Sequence, residues 1–476
     1  MKNYIYLFIF TILIAGCAKD FEDINTNPNA PVDVQPALLL RQVIYDYAEQ
    51  MSYEGFVAGN LLGQHLTALD FNLFDRHALN SPQLGGNPWA IFYTNLRDNE
   101  IILKKSQEIE TFAVYEGPSL ILKAYMTMGL TDLFGDVPYS EAFTGNTNTV
   151  TPKYDLQKDI YLAQGGILDN LQKGIEAIQK YSGTFALEGD ILYDGNLEYW
   201  IRFANSLRIK ALMRISAKQD ITTQLQAIVT EGNYITTNTE NAVFEFTDAE
   251  PNNFRLARLR AGDFNNFVMS ETIEDILTRL NDPRVSVLFR PFENATDNQY
   301  NGLINGIDAS QTTISLSNYS LAGKIFRENT GDLDANYMTA WETSFLLAEA
   351  ALKGFITKDA KTLYETGVTQ AFEYWQTTLP NAYLNTTAAY DNTIALEQII
   401  TQKWIANTIN GYEGWIEYRR TGYPALQPVG ASLNNGIIPI RLPYPAEEAT
   451  LNTTNYTTAA QTTNANSINF PVWWNQ

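Results

Sequence analysis

Cysteine occurs once in 476 residues and histidine twice, and basic residues are outnumbered, 32 Lys and Arg against 53 Asp and Glu. A single thiol cannot close an intrachain disulfide. His65 and His77 lie twelve apart with no His-Glu-x-x-His motif, which argues against a zinc centre. A formal charge of -21 argues against nucleic acid, whose phosphates need a basic face. A phosphate-cradling glycine loop, a dinucleotide fingerprint and a Gly-x-Ser-x-Gly nucleophile elbow are all missing. Asp332-Leu333-Asp334-Ala335-Asn336 imitates the start of a calcium loop, but Tyr337 replaces its turn glycine and Thr343 its bidentate glutamate. It reads as a solvated acidic loop. Glycoside hydrolysis needs only two opposed carboxylates, and nothing in the sequence singles out a pair. No cofactor is expected.

What is present begins with the placement of that cysteine. Tyr4 to Gly16 carry no charge and follow only Met1, Lys2 and Asn3. A short basic start, an apolar run too short to span a bilayer comfortably, and small residues before a processing point describe an export signal. Ile14-Ala15-Gly16-Cys17 resembles the bacterial lipobox, whose cysteine is acylated and becomes the new N-terminus. Residues 1–16 then read as the signal peptide, Cys17 as the lipidation site, and 17–36, rich in Asp, Asn and Pro, as a tether. Two or three acyl chains anchor stably where one is marginal. No later stretch is apolar and long enough to span a bilayer.

Helical periodicity dominates residues 37–476. From Trp200, apolar residues recur at Ala204, Leu207, Ala211 and Ile215, with Ile201 and Leu212 beside them, which makes one broad buried face. Similar patterns cover roughly 37–65, 88–107, 118–133, 158–180, 270–280, 342–355, 359–377 and 394–409. The stretches 345–355 and 359–375 read as a helical hairpin, either of tetratricopeptide type or a plain one, since the match to the repeat consensus is loose. Between the helices run long stretches of weak periodicity, 66–88, 137–157, 181–196, 233–268 and 288–335, where only fragments such as Ala242-Val243-Phe244-Glu245-Phe246 suggest strands. The expected fold is mostly α, a scaffold of helical hairpins carrying long loops and a few short strands. Loops this long in a compact chain carry function. Asp282 and Arg284 should tie down the turn after a helix, and Glu417 and Arg420, three apart, should form an ion pair.

Taken in order, several motifs resemble the SusD/RagB-like nutrient-binding outer-membrane lipoproteins of Bacteroidota. They are the lipobox with Asp20, Glu22 and Asp23 behind it, Thr131-Asp132-Leu133-Phe134-Gly135-Asp136-Val137-Pro138-Tyr139, Asn281-Asp282-Pro283-Arg284, Glu413-Gly414-Trp415-Ile416-Glu417-Tyr418-Arg419-Arg420, Arg441-Leu442-Pro443-Tyr444-Pro445 and the closing Val472-Trp473-Trp474-Asn475. The resemblance implies tetratricopeptide-like helix pairs supporting a loop-rich ligand face, and 37–476 as one ligand-binding domain. It also implies attachment to the outer membrane through lipid and a SusC-like TonB-dependent transporter as partner. An oligosaccharide or peptide ligand follows too, and no catalysis.

The first long loop and its surroundings supply the leading site candidates: Asp70, Phe71, Asn72, Phe74, Arg76, His77 and Trp89. Stacking rings, an arginine fork, an imidazole and an amide within about twenty residues suit capture of a sugar or peptide. Surplus Tyr and Trp, 27 and 8 residues, point the same way. Trp89 also belongs to a helical core stripe with Phe92, Tyr93 and Leu96. The resemblance adds Phe254 and Arg255, beside Asn253, and Tyr300 with Phe292, because related proteins bind through loops in comparable positions.

Overall fold

The computed structural model describes residues 34–80, 85–144, 149–308, 310 and 314–476. Cys17, the expected signal and most of the expected tether lie outside the described residues. Pro36 opens the first helix, α1 (Pro36–Glu54), at a position where its missing N–H has no intrahelical partner to lose. Leu40, Val43, Ile44, Tyr47 and Ala48, spaced for one helical face, bury against the interior. The helix expected to run on to residue 65 instead passes through a π turn at Gly55–Gly59 and a last turn at Asn60–Gly63. The cause is a crossing chain. A Cβ on Gly59 would stand 2.3 Å from the Tyr412 nitrogen, and one on Gly411 would stand 2.4 Å from the Asn60 nitrogen.

The longer helices that follow are α2 (Trp89–Glu108), α3 (Glu116–Phe134), α4 (Ile167–Lys180), α5 (Leu197–Ile215), α6 (Thr222–Glu231), α7 (Glu271–Leu280), α8 (Ala340–Leu352), α9 (Ala360–Tyr374), α10 (Ala395–Ala406), α11 (Gly411–Thr421) and α12 (Thr453–Thr462). The chain is mostly helical, as expected. α3 is buried on almost every side and packs between α2 and α4. The expected hairpin of α8 and α9 forms, with Thr339 and Asp359 side chains accepting from the Glu342 and Thr362 N–H groups as N-caps. The single helix expected over 158–180 is two, Gln157–Leu162 and α4, because Asp169 draws the Gly165 N–H (2.6 Å) into a turn between them.

Strands are few and short among the described residues: β1 (Leu66–Ala68), β2 (Val137–Pro138), β3 (Tyr154–Asp155), β4 (Ala242–Glu245), β5 (Phe267–Met269) and β6 (Asp334–Met338). They pair antiparallel as β1–β5, β2–β3 and β4–β6. The segment that imitates a calcium loop is divided between a 3-10 turn at Thr330–Asp332 and the start of β6, where Asp334 to Asn336 pair with β4. Asp334 lies opposite Glu245, and burial together with that neighbouring carboxylate pushes its pKa up to about 7.

The helices are cross-linked by charge. Arg214 of α5 reaches Asp132 of α3 (3.0 Å) and both Glu413 (2.9 Å) and Glu417 (2.7 Å) of α11. Lys210 pairs with Glu342 of α8 (3.1 Å) and Glu413 (3.0 Å), and Lys403 of α10 with Glu342 (3.3 Å) and Glu417 (3.5 Å). Arg420 bridges the expected partner Glu417 (2.6 Å) and Glu349 of α8. Trp474 closes the assembly: its indole N–H donates to Asp132 (2.8 Å), and its ring lies under the guanidinium groups of Arg214 and Arg419. Asp282 and Arg284 pair at 2.6 Å, fully buried, at the expected turn.

Removing one member of such a network strands its partners in a low dielectric. Glu417→Ala leaves Arg214, Lys403 and Arg420 short of a counter-charge and is expected to cost about 3–5 kcal/mol, read from urea or guanidinium unfolding. The cations hold Glu349, Glu413 and Glu417 below the ordinary carboxylate range, Glu413 down to about 2. Groups depressed in the folded state stabilise it above their unfolded pKa and stop doing so as pH falls through the folded one. Thermal midpoints should therefore drop steadily between about pH 4.5 and about pH 2, and a midpoint flat across that window would contradict the assignment.

Candidate ligand-binding site

The chain leaves β1 at Ala68 and enters the first long loop, which a buried carboxylate anchors. Asp75 accepts from the Thr67 hydroxyl (2.8 Å), the Ala68 N–H (3.2 Å), the Asn305 amide (2.8 Å) and the Gly306 N–H (2.7 Å). Burial raises its pKa, and these donors pull it back. The Asn72 side-chain amide donates to the Ile307 carbonyl (2.7 Å). Arg76 Nε donates to the Ala431 carbonyl (2.9 Å), while the Arg76 carbonyl accepts from the Leu433 N–H (2.7 Å). Segments far apart in sequence thus converge on one loop.

Beyond Arg76 the loop becomes one wall of a cavity of about 630 Å³. His77, Asn80, Gly86 and Asn87 stand on this side. Gly86 has φ +104°, and a Cβ there would press within 2.3 Å of the Phe74 ring. Its N–H is held by the buried Glu54 carboxylate at 2.7 Å, which also accepts from the Tyr412 hydroxyl at 3.2 Å. Burial depresses His77 to about 4, so its imidazole is neutral at pH 7.

The facing wall comes from residues 433–469. Arg441, fully buried, donates to the Phe134 carbonyl (3.2 Å) and to Asn466 Oδ1 (3.1 Å), which also accepts from the Tyr444 N–H (2.9 Å). Asn434 and Asn469 exchange amide hydrogen bonds at 2.8 and 2.9 Å. Tyr456 lines this side half-buried, and Tyr444 stands behind it, buried under the Arg441 guanidinium with its hydroxyl fixed on the Asp136 carbonyl (2.8 Å). Amides that both donate and accept, set beside tyrosine rings, match a ligand carrying hydroxyls on an apolar frame. Glu447 is the one carboxylate lining this cavity among the described residues.

The sequence-based candidates do not form one cluster. His77 lines the cavity and Arg76 braces it. Asp70 is locked to Asn266 by two hydrogen bonds of 2.8 Å at the end of the β1–β5 pair, and Phe71 beside it, 61% exposed, faces solvent. Asn72 and Phe74 are buried supports. Trp89 is largely buried at the start of α2, its ring edge-on to Phe134 at 5.0 Å. Phe254 is fully buried against Phe56 and Phe246. Arg255 lies over the Tyr53 ring at 4.4 Å beside α1, and Tyr300 sits half-buried in the 288–335 stretch. The 433–469 wall held no candidate. Its signal is asparagine-rich turns, Asn434-Asn435-Gly436 and Asn464 to Asn469, on either side of Tyr444 and Tyr456.

The sequence matches the SusD-like family over residues 28–445, a family described as starch-binding and associating with the outer membrane. No curated protein matches it. Among solved structures, a chitin-binding protein superposes with a TM-score of 0.77 at 25% identity, covering 93% of this chain and 100% of that one. A SusD homolog from Bacteroides uniformis gives 0.76 at 25% identity, covering 92% and 99%. A chitin-binding SusD homolog from Flavobacterium johnsoniae gives 0.75 at 24% identity, covering 93% and 98%, a likeness of fold. No helix among the described residues is long and apolar enough to cross a membrane. With the match running from residue 28 to residue 445, through nearly all of the helical scaffold, the chain belongs to the SusD-like family of outer-membrane-associated binding proteins.

Proposed function

We propose that this protein is a cell-surface lipoprotein that captures an oligosaccharide and passes it to a SusC-like TonB-dependent transporter in the outer membrane. The observation that carries the reading is the cavity with His77, Asn80, Gly86 and Asn87 on one side and residues 433–469 on the other, where asparagine and tyrosine side chains come together. A sugar presents hydroxyls at its edges and C–H groups on its faces, which is what those side chains complement. Hydrolysis of a glycosidic bond takes two opposed carboxylates, and Glu447 stands alone in the described lining. Capture without turnover is the role proposed. Starch binding in the family description and chitin binding in two solved relatives support a glycan over a peptide.

Titration calorimetry with chito- and malto-oligosaccharides, preceded by a broad glycan array, tests the ligand class. Binding of a glycan is expected, with Tyr456→Ala weakening it about tenfold through loss of one stacking face, and with no reducing ends released on long incubation. Binding of mixed peptides with no response on the array would overturn the reading. The anchor has its own test: in membrane fractions, Cys17→Ala should move the protein from the outer membrane to the soluble pool. A wild-type protein already soluble would remove the lipid from the proposal.

A further inference from the structure

A second groove of about 400 Å³ lies behind the first cavity and differs in chemistry. Trp89, Tyr93, Phe143, Pro138 and Pro152 make an apolar floor, and Arg97 and Glu448 stand at its edge. The rings form a chain, Trp89 to Tyr93 at 5.0 Å and Tyr93 to Phe143 at 6.1 Å, tilted by 46° and 43°. Tyr93 is fixed by its hydroxyl on the Pro138 carbonyl (2.7 Å). Phe143 is held at φ +65°, a conformation a bulky side chain adopts only when its surroundings impose it. Arg97 keeps 60% of its side chain exposed, with Asp98 as its neighbour at 2.8 Å.

The ridge between the two hollows is residues 444–448. Tyr444 belongs to the wall of the amide-lined cavity, and its ring touches Trp89 (6.1 Å) and Tyr154 (5.0 Å) on the other side. Glu447 faces the first hollow and Glu448 the second, where it accepts from the Tyr154 hydroxyl at 2.7 Å. Adjacent residues therefore serve opposite sides of one thin partition.

We propose that the aromatic groove is a second sugar-ring subsite, so that an oligosaccharide long enough to cross the 444–448 ridge stacks a further pyranose face on Phe143 and Tyr93 while its hydroxyls meet Arg97 and Glu448. This rests on the oligosaccharide reading above. Flat apolar walls with a cation and a carboxylate at the rim suit a ring that is apolar on its face and hydroxylated at its edge. Short ligands fill the amide-lined cavity alone. Long ones engage both, and the second contact adds affinity because it is intramolecular.

The test uses the full chain with the disaccharide and hexasaccharide of N-acetylglucosamine, and maltose and maltohexaose in parallel. For the series that binds, the hexasaccharide is expected to bind at least about tenfold more tightly than the disaccharide. Phe143→Ala should remove most of that advantage and leave the disaccharide within about twofold of wild type. Arg97→Ala, at an exposed position, should do the same in smaller measure, and thermal melts confirm that each variant folds. Equal affinity for both lengths, equal weakening of both by Phe143→Ala, or two disaccharides bound per chain with no gain for the hexasaccharide would overturn the linked subsite and leave the first cavity standing. Failure of every sugar to bind would instead strike the function itself.

Discussion

Arg214 is out of contact with water, and three carboxylates from two other helices surround it. A guanidinium in that position is costly to desolvate, and the geometry that compensates it is narrow. Were α11 displaced by one helical turn along α5, Arg214, Lys210 and Lys403 would lose Glu413 and Glu417 and be left to share Asp132 and Glu342. The network therefore fixes the mutual register of α3, α5, α8, α10 and α11 more tightly than apolar contact, which tolerates sliding, would do.

The cavity depends on that register. Tyr412 precedes Glu413 on α11, and its hydroxyl meets the same Glu54 oxygen that accepts from Gly86. On the opposite wall, Arg441 donates to the carbonyl of Phe134, the last residue of the helix that contributes Asp132. Both walls are thus suspended from helices the ion network has already positioned, and the loops need only carry the recognition groups. Asp75 plays the corresponding part for the first loop, gathering donors from β1 and from residues 305 and 306 onto one carboxylate.

Regular apolar spacing made several helices legible: α2, α5 and α7 lie close to where the periodicity put them, and the α8–α9 hairpin and the Glu417–Arg420 pair follow from local spacing alone. α11 went unread as a periodic helix because its buried positions mix Tyr412, Trp415 and Ile416 with Glu417, Arg419 and glycines at 411 and 414, so its pattern is not uniformly apolar. α12 is mostly threonine and asparagine and shows no stripe. The site was half legible. Residue types drew attention to 70–77, but whether a ring faces a ligand or the interior depends on contacts spanning hundreds of residues. Phe254 buried on Phe56, and Arg76 bonded to Ala431, are of this kind.

The crossing of Gly59 and Gly411 has a bearing on how variants of this protein are to be interpreted. Two stretches of backbone touch there with no room for even a methyl group, at the seam that carries Asn60 on one side and Tyr412 on the other. A side chain introduced at either glycine would act as a wedge, prising the two strands of chain apart and tilting Tyr412 away from Glu54. Ligand uptake could then vanish in a mutant that alters no group a sugar ever meets, so weakened capture alone does not identify a recognition residue.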